Sequence, residues 1–268
     1  ATGDGGQVDA HVVADDSVDT RGRNAVGVLA QSVGGGGGIA GLSTAAGRTT
    51  LAAPASQGSG AGGAVNVNVE GSVLTEGAGA IGVLAQSVGG GGGLAGDLSS
   101  VSYGDDLVKT VDVAGGSGNG GAVDVQVGFM VATQGRNAPA IAALSLGGGA
   151  VFSEAGIQVR GSGGGTGSAG GAINIGLGTG ALVTAQGGGA PAILAVSAGS
   201  AAQNSGGAVT IGVGTSSAVY ADTASGTAIR TITDNATSVS NQGLIAGATA
   251  IEASGRVAVD NYGLFIGN

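Results

Sequence analysis

GVLAQSVGGGGG, residues 27–38, returns letter for letter at residues 82–93. A hydrophobic heptapeptide joined twice to five glycines is a unit being reused, and three weaker copies of the heptapeptide follow: AIAALSL at 140–146, AILAVSA at 192–198 and GTAIRTI at 226–232. Ahead of each copy lies a Gly-Gly pair followed by alternating apolar residues, as in GGQVDAHV from Gly5, GGAVNVNV from Gly62, GGAVDVQV from Gly120, GGAINIGL from Gly170 and GGAVTIGV from Gly206. From the second glycine of each pair to the hydroxyl residue of the heptapeptide (Ser32, Ser87, Ser145, Ser197, Thr231) the chain runs 26, 24, 24, 26 and 24 residues, whereas from each hydroxyl to the next pair it runs 31, 34, 26 and 10. A constant segment followed by a variable one is the pattern of a solenoid whose insertions collect in loops and leave the stacked strands undisturbed.

Period-two alternation of β-branched residues predicts strands with one buried face. The inward set is Val8, Ala10, Val12; Val65, Val67, Val69; Val123, Val125, Val127; Ile173, Ile175, Leu177; and Val209, Ile211, Val213, with Asp9, Asn66, Asp124, Asn174 and Thr210 facing out. Each constant segment holds about three strands; in residues 63–90 they are AVNVNV, GSVLT and AIGVLAQSV. The expected fold is all-β: a parallel β-helix (β-solenoid) of about five three-strand coils with glycine-rich excursions, followed by shorter coils. As one domain over 1–268 it divides into units 5–61, 62–119, 120–169, 170–205 and 206–233, then terminal coils over 234–268. In those last coils NQGLIAG (241–247) and NYGLFIG (261–267) set Asn241 and Asn261 20 residues apart, and an asparagine at a repeated corner bonds backbone and its stacked equivalent.

Even slots of the heptapeptide (Val28, Ala30, Ser32 and their equivalents) are expected to face inward, which makes Ser32, Ser87, Ser145, Ser197 and Thr231 a ladder of hydroxyls bonding backbone or one another. The fifth slot, Gln31, Gln86, Leu144, Val196 and Arg230, is varied enough to be read as solvent-facing. For the glycine tracts two readings stand: turns leading flexibly into the excursions, or ordered extended segments of polyproline-II type packed closely together, the second explaining verbatim repetition better.

Composition excludes several functions. Glycine supplies 62 of 268 residues, about three times ordinary usage, and collagen's every-third-residue period is absent. A net charge of −9 repels phosphate backbones and anionic lipid, so nucleic acid is not an expected partner. Three Tyr, three Phe and no Trp leave few stacking platforms, and zero cysteine removes disulfides, thiolate nucleophiles and Cys-ligated zinc. No apolar run is long enough to cross a membrane as a helix, and residues 1–30 do not read as a signal peptide, which leaves either a cytosolic protein or the mature interior of a longer exported chain.

Candidate chemistry is sparse, and neither catalytic residue, cofactor nor metal site is expected. His11, the sole histidine, falls in an outward slot with Asn68, Gln126, Gly176 and Gly212, and no GxSxG elbow accompanies a serine. Asp15, Asp16 and Asp19, or Asp105 with Asp106, offer oxygen ligands to calcium without the spacing of a known calcium loop. Gly116, Gly118 and Gly121 satisfy GxGxxG, a chance match at this glycine content, and Asn235-Ala-Thr is the only glycosylation sequon. Arg21, Arg23, Arg136, Arg160 and Arg230 are scattered rather than grouped for a uronate substrate.

GVLAQSVGGGGG, the GG[AQ]VxV strand starts and the terminal NQGLIAG and NYGLFIG coils together resemble passenger segments of large Gram-negative autotransporters, the type V secreted proteins. The resemblance covers essentially the whole chain. It implies that the β-helix is a right-handed parallel β-helix, that the chain is exported with a C-terminal outer-membrane β-barrel in the same polypeptide as partner, and that it stands at the cell surface. The expected role is a non-enzymatic stalk or adhesin whose exposed excursions, chiefly 39–61, 94–119 and 147–169, meet host or bacterial surface molecules. Two alternatives remain: a polysaccharide-active β-helix enzyme using Asp105 or Asp106, and a self-assembling or ice-binding solenoid, for which Thr231-Ile232-Thr233 is the nearest Thr-x-Thr motif and open ends favour self-association.

Overall fold

The computed structural model describes residues 3–40, 43–45, 48–50, 58–111, 116–160, 168–200, 205–222 and 224–267. Apart from two single turns of 3-10 helix, Leu98–Ser100 and Asp105–Leu107, its regular structure is strand. The chain winds past three walls and returns to the first one level further on.

Wall one stacks Val8–Val12, Val65–Val69, Val123–Val127, Ile173–Leu177 and Val209–Val213, every neighbour parallel and in register. Wall two stacks Ser17–Thr20, Ser72–Thr75, Met130–Thr133, Leu182–Ala185, Ala218–Ala221, Leu244–Ala246 and Leu264–Ile266. Wall three stacks Val28–Val33, Val83–Val88, Ile141–Leu146 and Ile193–Ala198. The long strand Thr227–Asn241 belongs to two walls: Ile229–Ile232 extend wall three beside Ile193–Val196, and Thr237–Asn241 extend wall one beside Val209–Val213. Thr249–Asn261 repeats that course, with an irregularity between Ile232 and Ala236 where the strand turns the corner. The fold is therefore a parallel β-helix or solenoid, as the alternation predicts.

The first core lies between the walls. Val65, Val67, Val123, Val125, Ile173, Ile211 and their equivalents meet Val73, Val131, Val183 and Val219 from wall two and Val83, Ala85, Ile141 and Ile193 from wall three. Stacked strands are about 4.8 Å apart, so like side chains form continuous columns. Each fully buried Val or Ile contributes about 1.5–3 kcal/mol. The predicted inward set is buried throughout, with Val8 and Ala10 half-buried.

A second core corrects the reading of the heptapeptide's fifth slot. Gln86, Leu144 and Val196 are fully buried, because the excursions fold back as a fourth layer over the outer face of wall three. That layer is a five-stranded sheet in the order Val108–Val111, Gly156–Arg160, Val151–Ser153, Gly92–Ala95, Gly37–Ala40. Leu98, Val101, Tyr103, Leu107, Phe152, Ile157 and Val159 pack on Leu84, Leu144, Leu146, Leu194 and Val196. The excursions are thus in part a buried layer and not simply exposed loops. Ser43–Ala45 and Arg48–Thr50 form a separate antiparallel pair, while 41–42, 46–47, 51–57, 112–115 and 161–167 lie outside the described residues.

The glycine tracts belong to this layer, and neither reading of them was complete. Each makes a left-handed turn (Gly35 and Gly36 at φ +81° and +88°, Gly90 and Gly91 at +78° and +83°) and then runs on as a strand at positive φ, unlike polyproline II. Gly92 has φ +121°, and a Cβ there would overlap the Ala150 carbonyl oxygen; one on Gly37 would overlap that of Gly92. Ordered close packing, with backbones approaching where no side chain fits, accounts for the verbatim repeat.

Candidate functional site

The hydroxyl ladder is present, with one correction. Ser32, Ser87, Ser145 and Ser197 face the interior, and each donates to the carbonyl of the second glycine of its own unit (Gly6, Gly63, Gly121, Gly171) at 2.7–2.8 Å. Each also accepts from the N–H of the next unit's glycine (Gly63, Gly121, Gly171, Gly207) at 2.7–2.9 Å. Its fifth member is Thr233, which donates to Gly207 O at 2.9 Å, and not Thr231, which meets Thr237 instead. Ile229 pairs with Ile193, so GTAIRTI aligns two residues later than its letters suggest, and Arg230 stands opposite Leu194. These serines join wall three to the start of wall one at the next level and are committed to backbone. His11, the one histidine, projects from the outer face of wall one, where Nε2 lies 3.3 Å from Glu70, away from these serines. The GxGxxG glycines have a structural reason: a Cβ on Gly116 or Gly118 would overlap the carbonyl oxygens of Gly58 and Gly60.

Corner asparagines act as predicted. Asn241 donates to Asn261 Oδ1 at 2.8 Å, and each carboxamide oxygen accepts from the N–H two residues on, Gly243 or Gly263. Asn235 donates to Gly206 O, and Thr237 of the same sequon is fully buried.

The acidic candidates separate. Asp19 pairs with Arg21 at 3.2 Å, while Asp15 (φ +69°) and Asp16 line a different cavity with Glu70 and Phe129. Asp105 is almost wholly exposed and reaches Arg230 at 3.4 Å; Asp106 has no ion pair among the described residues. No group of three metal-ligating side chains is gathered among the described residues.

Two charged centres escape sequence reasoning. Arg230, buried, joins Glu252 at 2.7 Å and Asp105 at 3.4 Å beside a 260 Å³ cavity, and its Nε has no partner. Partners 125 residues apart leave no local sequence signal. Asp97 accepts from Arg23, from Asn24 at 2.9 Å, and from the N–H and hydroxyl of Ser99. Burial opposes its ionisation, but the hydrogen bonds from Arg23, Ser99 and Asn24 outweigh that and hold the carboxyl well below the usual range. The signal was there: Asp immediately before a helical turn, capping its N–H groups. Asn24 Oδ1 also accepts from Ser99, and Asn137 donates to Ser99 O at 2.8 Å, so two left-handed corner residues (φ +57° and +53°) clamp Leu98–Ser100 onto the solenoid. Tyr103, buried beneath this turn with its phenol pushed up by desolvation, is an apolar plug whose hydroxyl donates to Asn137 O.

The described side chains thus form ladders and clamps, with one buried ion-paired arginine. Comparison with known protein families, characterised proteins and solved structures finds no match to this chain.

Proposed function

We propose that the chain is a non-enzymatic stalk or adhesin segment of an autotransporter passenger, wound right-handed, with about five three-strand coils followed by shorter ones. In this reading it stands at the surface of a Gram-negative cell, held by an outer-membrane barrel of the same polypeptide, and presents parts of its excursions to surface molecules of host or neighbouring cells. The carrying observation is the hydroxyl column from Ser32 to Thr233. It ties wall three to the next level's wall one through part-buried bonds of 2.7–2.9 Å, and continuous columns of this kind make a stiff rod suited to projection. The repeated AQSVGGGGG string, which resembles such passengers, supports the secretion class.

The test is display of the chain ahead of an outer-membrane barrel on a non-adherent bacterium. Displaying cells should adhere to epithelial or bacterial surfaces better than cells carrying the barrel alone. Replacing 41–57 or 161–167, which fall outside the fourth-layer strands, with a short glycine-serine link should abolish the gain while β-sheet circular dichroism persists. Unchanged adhesion in both trimmed forms sinks the adhesin assignment.

A further inference from the structure

The outer face of wall two is apolar where that of wall one is polar. Its outward positions run Ser17, Ser72, Met130, Leu182, Ala218, Leu244, Leu264 in one column and Asp19, Leu74, Ala132, Thr184, Tyr220, Ala246, Ile266 in the next. They are polar at the first level and mainly apolar from Met130 onward, with Ala132 and Ala246 buried between their neighbours, while the alternating Val73, Val131, Val183, Val219 and Ile245 enter the core. The fourth layer packs on wall three, whereas Leu74, Met130, Leu182 and Leu244 belong to neither buried core. Leu182 is 37% exposed, and beside the strip Phe129 and Val13 are 56% and 50% exposed. Thr184, only 5% exposed, has a hydroxyl without a partner in the free chain.

At the Phe129 end the strip opens into a 200 Å³ cavity lined by Ala14, Asp15, Asp16, Glu70, Gly71, Ser72 and Phe129. Glu70 already holds His11 at 3.3 Å, but Asp15 and Asp16 have no ion pair among the described residues, and with no basic residue in the lining these two carboxylates and the aromatic face accept a lysine or arginine head. The aliphatic stem lies on the ring, where the ring's quadrupole also attracts the cation. From Ser72 to Leu244 is four inter-strand steps, about 19 Å, the length of roughly 13 helical residues.

We propose that wall two docks a basic amphipathic segment of another polypeptide, its apolar face on Met130, Leu182 and Leu244 and its cationic end in the Asp15–Asp16–Glu70 cavity. Charge complementarity selects this occupant. Anionic lipid and nucleic acid are repelled by the same carboxylates, and a second copy, itself at −9, would set acid against acid. The surface does not involve the excursions, so it stands or falls separately from the adhesin reading.

The probe is a fluorescein-labelled 14-residue Lys/Leu peptide with leucines at helical spacing, titrated with the chain by fluorescence anisotropy. A Glu/Leu counterpart and a scrambled Lys/Leu peptide serve as controls. The ordered Lys/Leu peptide should bind, Phe129→Ala with Leu182→Ser should weaken it at least tenfold, and Asp15→Asn with Asp16→Asn at least fivefold. The remote pair Asp105→Asn with Asp106→Asn should change nothing. Absence of binding, equal binding of the scrambled peptide, or equal weakening by the remote pair overturns the proposal. Should the Leu182→Ser chain lose its β-sheet spectrum, Phe129→Ala alone decides, together with hydrogen-exchange protection by the peptide over residues 70–75 and 128–133.

Discussion

Removing one hydroxyl from the ladder, as in Ser145→Ala, tests the columnar architecture most directly. Ser145 is fully buried; its Oγ donates to Gly121 O and accepts from Gly171 N, both at 2.7 Å. Alanine removes both bonds. A hydrogen bond of this kind contributes about 1 kcal/mol net, and a buried group left without a partner costs about 1–3 kcal/mol. Gly121 and Gly171 are half-buried, so water recovers part of the loss and the expected destabilisation is about 2–3 kcal/mol. With a urea m-value of about 3 kcal/mol/M, the midpoint should fall by about 0.7–1 M. Hydrogen exchange should also quicken at Gly171. Ser145→Thr should keep most of the stability, since Thr233 occupies the equivalent position at the last level and still donates to Gly207. Ser238→Ala, on the exposed outer side of wall one, is the control. A Ser145→Ala midpoint within 0.2 M of wild type (about 0.6 kcal/mol at that slope), or no lower than that of Ser238→Ala, would refute the idea that these hydroxyls fasten one level to the next.

Other outcomes follow from the same geometry. Gly92→Ala should unfold the fourth layer, since its Cβ would overlap the Ala150 carbonyl at φ +121°, whereas Gly38→Ala, at φ +135° but with open space, carries backbone strain alone, about 1–2 kcal/mol; thermal melts separate the two. Arg230→Met leaves Glu252 without its 2.7 Å partner and should cost about 1–2 kcal/mol, held down by the partial exposure of Glu252, with Glu252→Gln in the same chain recovering part of it in urea titrations. Asp97 titrates below the usual carboxylate value of 3.8, so its share of the clamp on Leu98–Ser100 is complete above that pH and is lost as pH falls toward its depressed folded value. Hydrogen-exchange protection factors over 98–111, taken against the intrinsic rate at each pH, should therefore fall between pH 4 and 2, and Asp97→Asn should remove that acid dependence.

The walls were legible because alternation and period are local properties. VNVNV and VDVQV state in five letters that one face is wet and one dry. Wall three carried a second signal that was passed over: IAALSL and ILAVSA are near-continuous apolar runs, as expected of strands covered on both faces, while the varied fifth slot pointed to solvent. The cover itself was illegible, since it comes from excursions of irregular pattern, and an excursion's landing place is a long-range fact. The misplaced Thr231 has a local cause: Thr231 and Thr233 flank one residue, so either fits a hydroxyl slot, and only the pairing of Ile229 with Ile193 decides. The sign of φ in the glycine tracts is likewise absent from the letters, because glycine adopts both.

Length variation after the glycine tract and the chemistry of wall three are two views of one constraint. The outward columns of that wall read Leu29, Leu84, Ala142, Leu194, Arg230, Glu252 and Gln31, Gln86, Leu144, Val196, Ile232, Ser254 along the axis. The first is apolar while the excursions are long, and in the second Gln31 and Gln86, under the two longest excursions, bond each other and the Gly93 carbonyl of the cover before Leu144 and Val196 follow; the spacing from Ser197 to the next glycine pair then shrinks to 10 residues. Beyond that point no described strand of the fourth layer derives from the intervening chain, and the first column becomes charged, with Arg230 and Glu252. An apolar outer face needs a lid, and a wall that loses its lid must present groups that water or an ion pair can satisfy. Arg230 sits at this changeover and uses Asp105, from the last turn of the covering layer, as one of its two partners. The excursions therefore act first as structural cover for wall three, and the surfaces left to evolve freely are the wet face of wall one, the apolar face of wall two and whatever part of each excursion extends past the fourth layer.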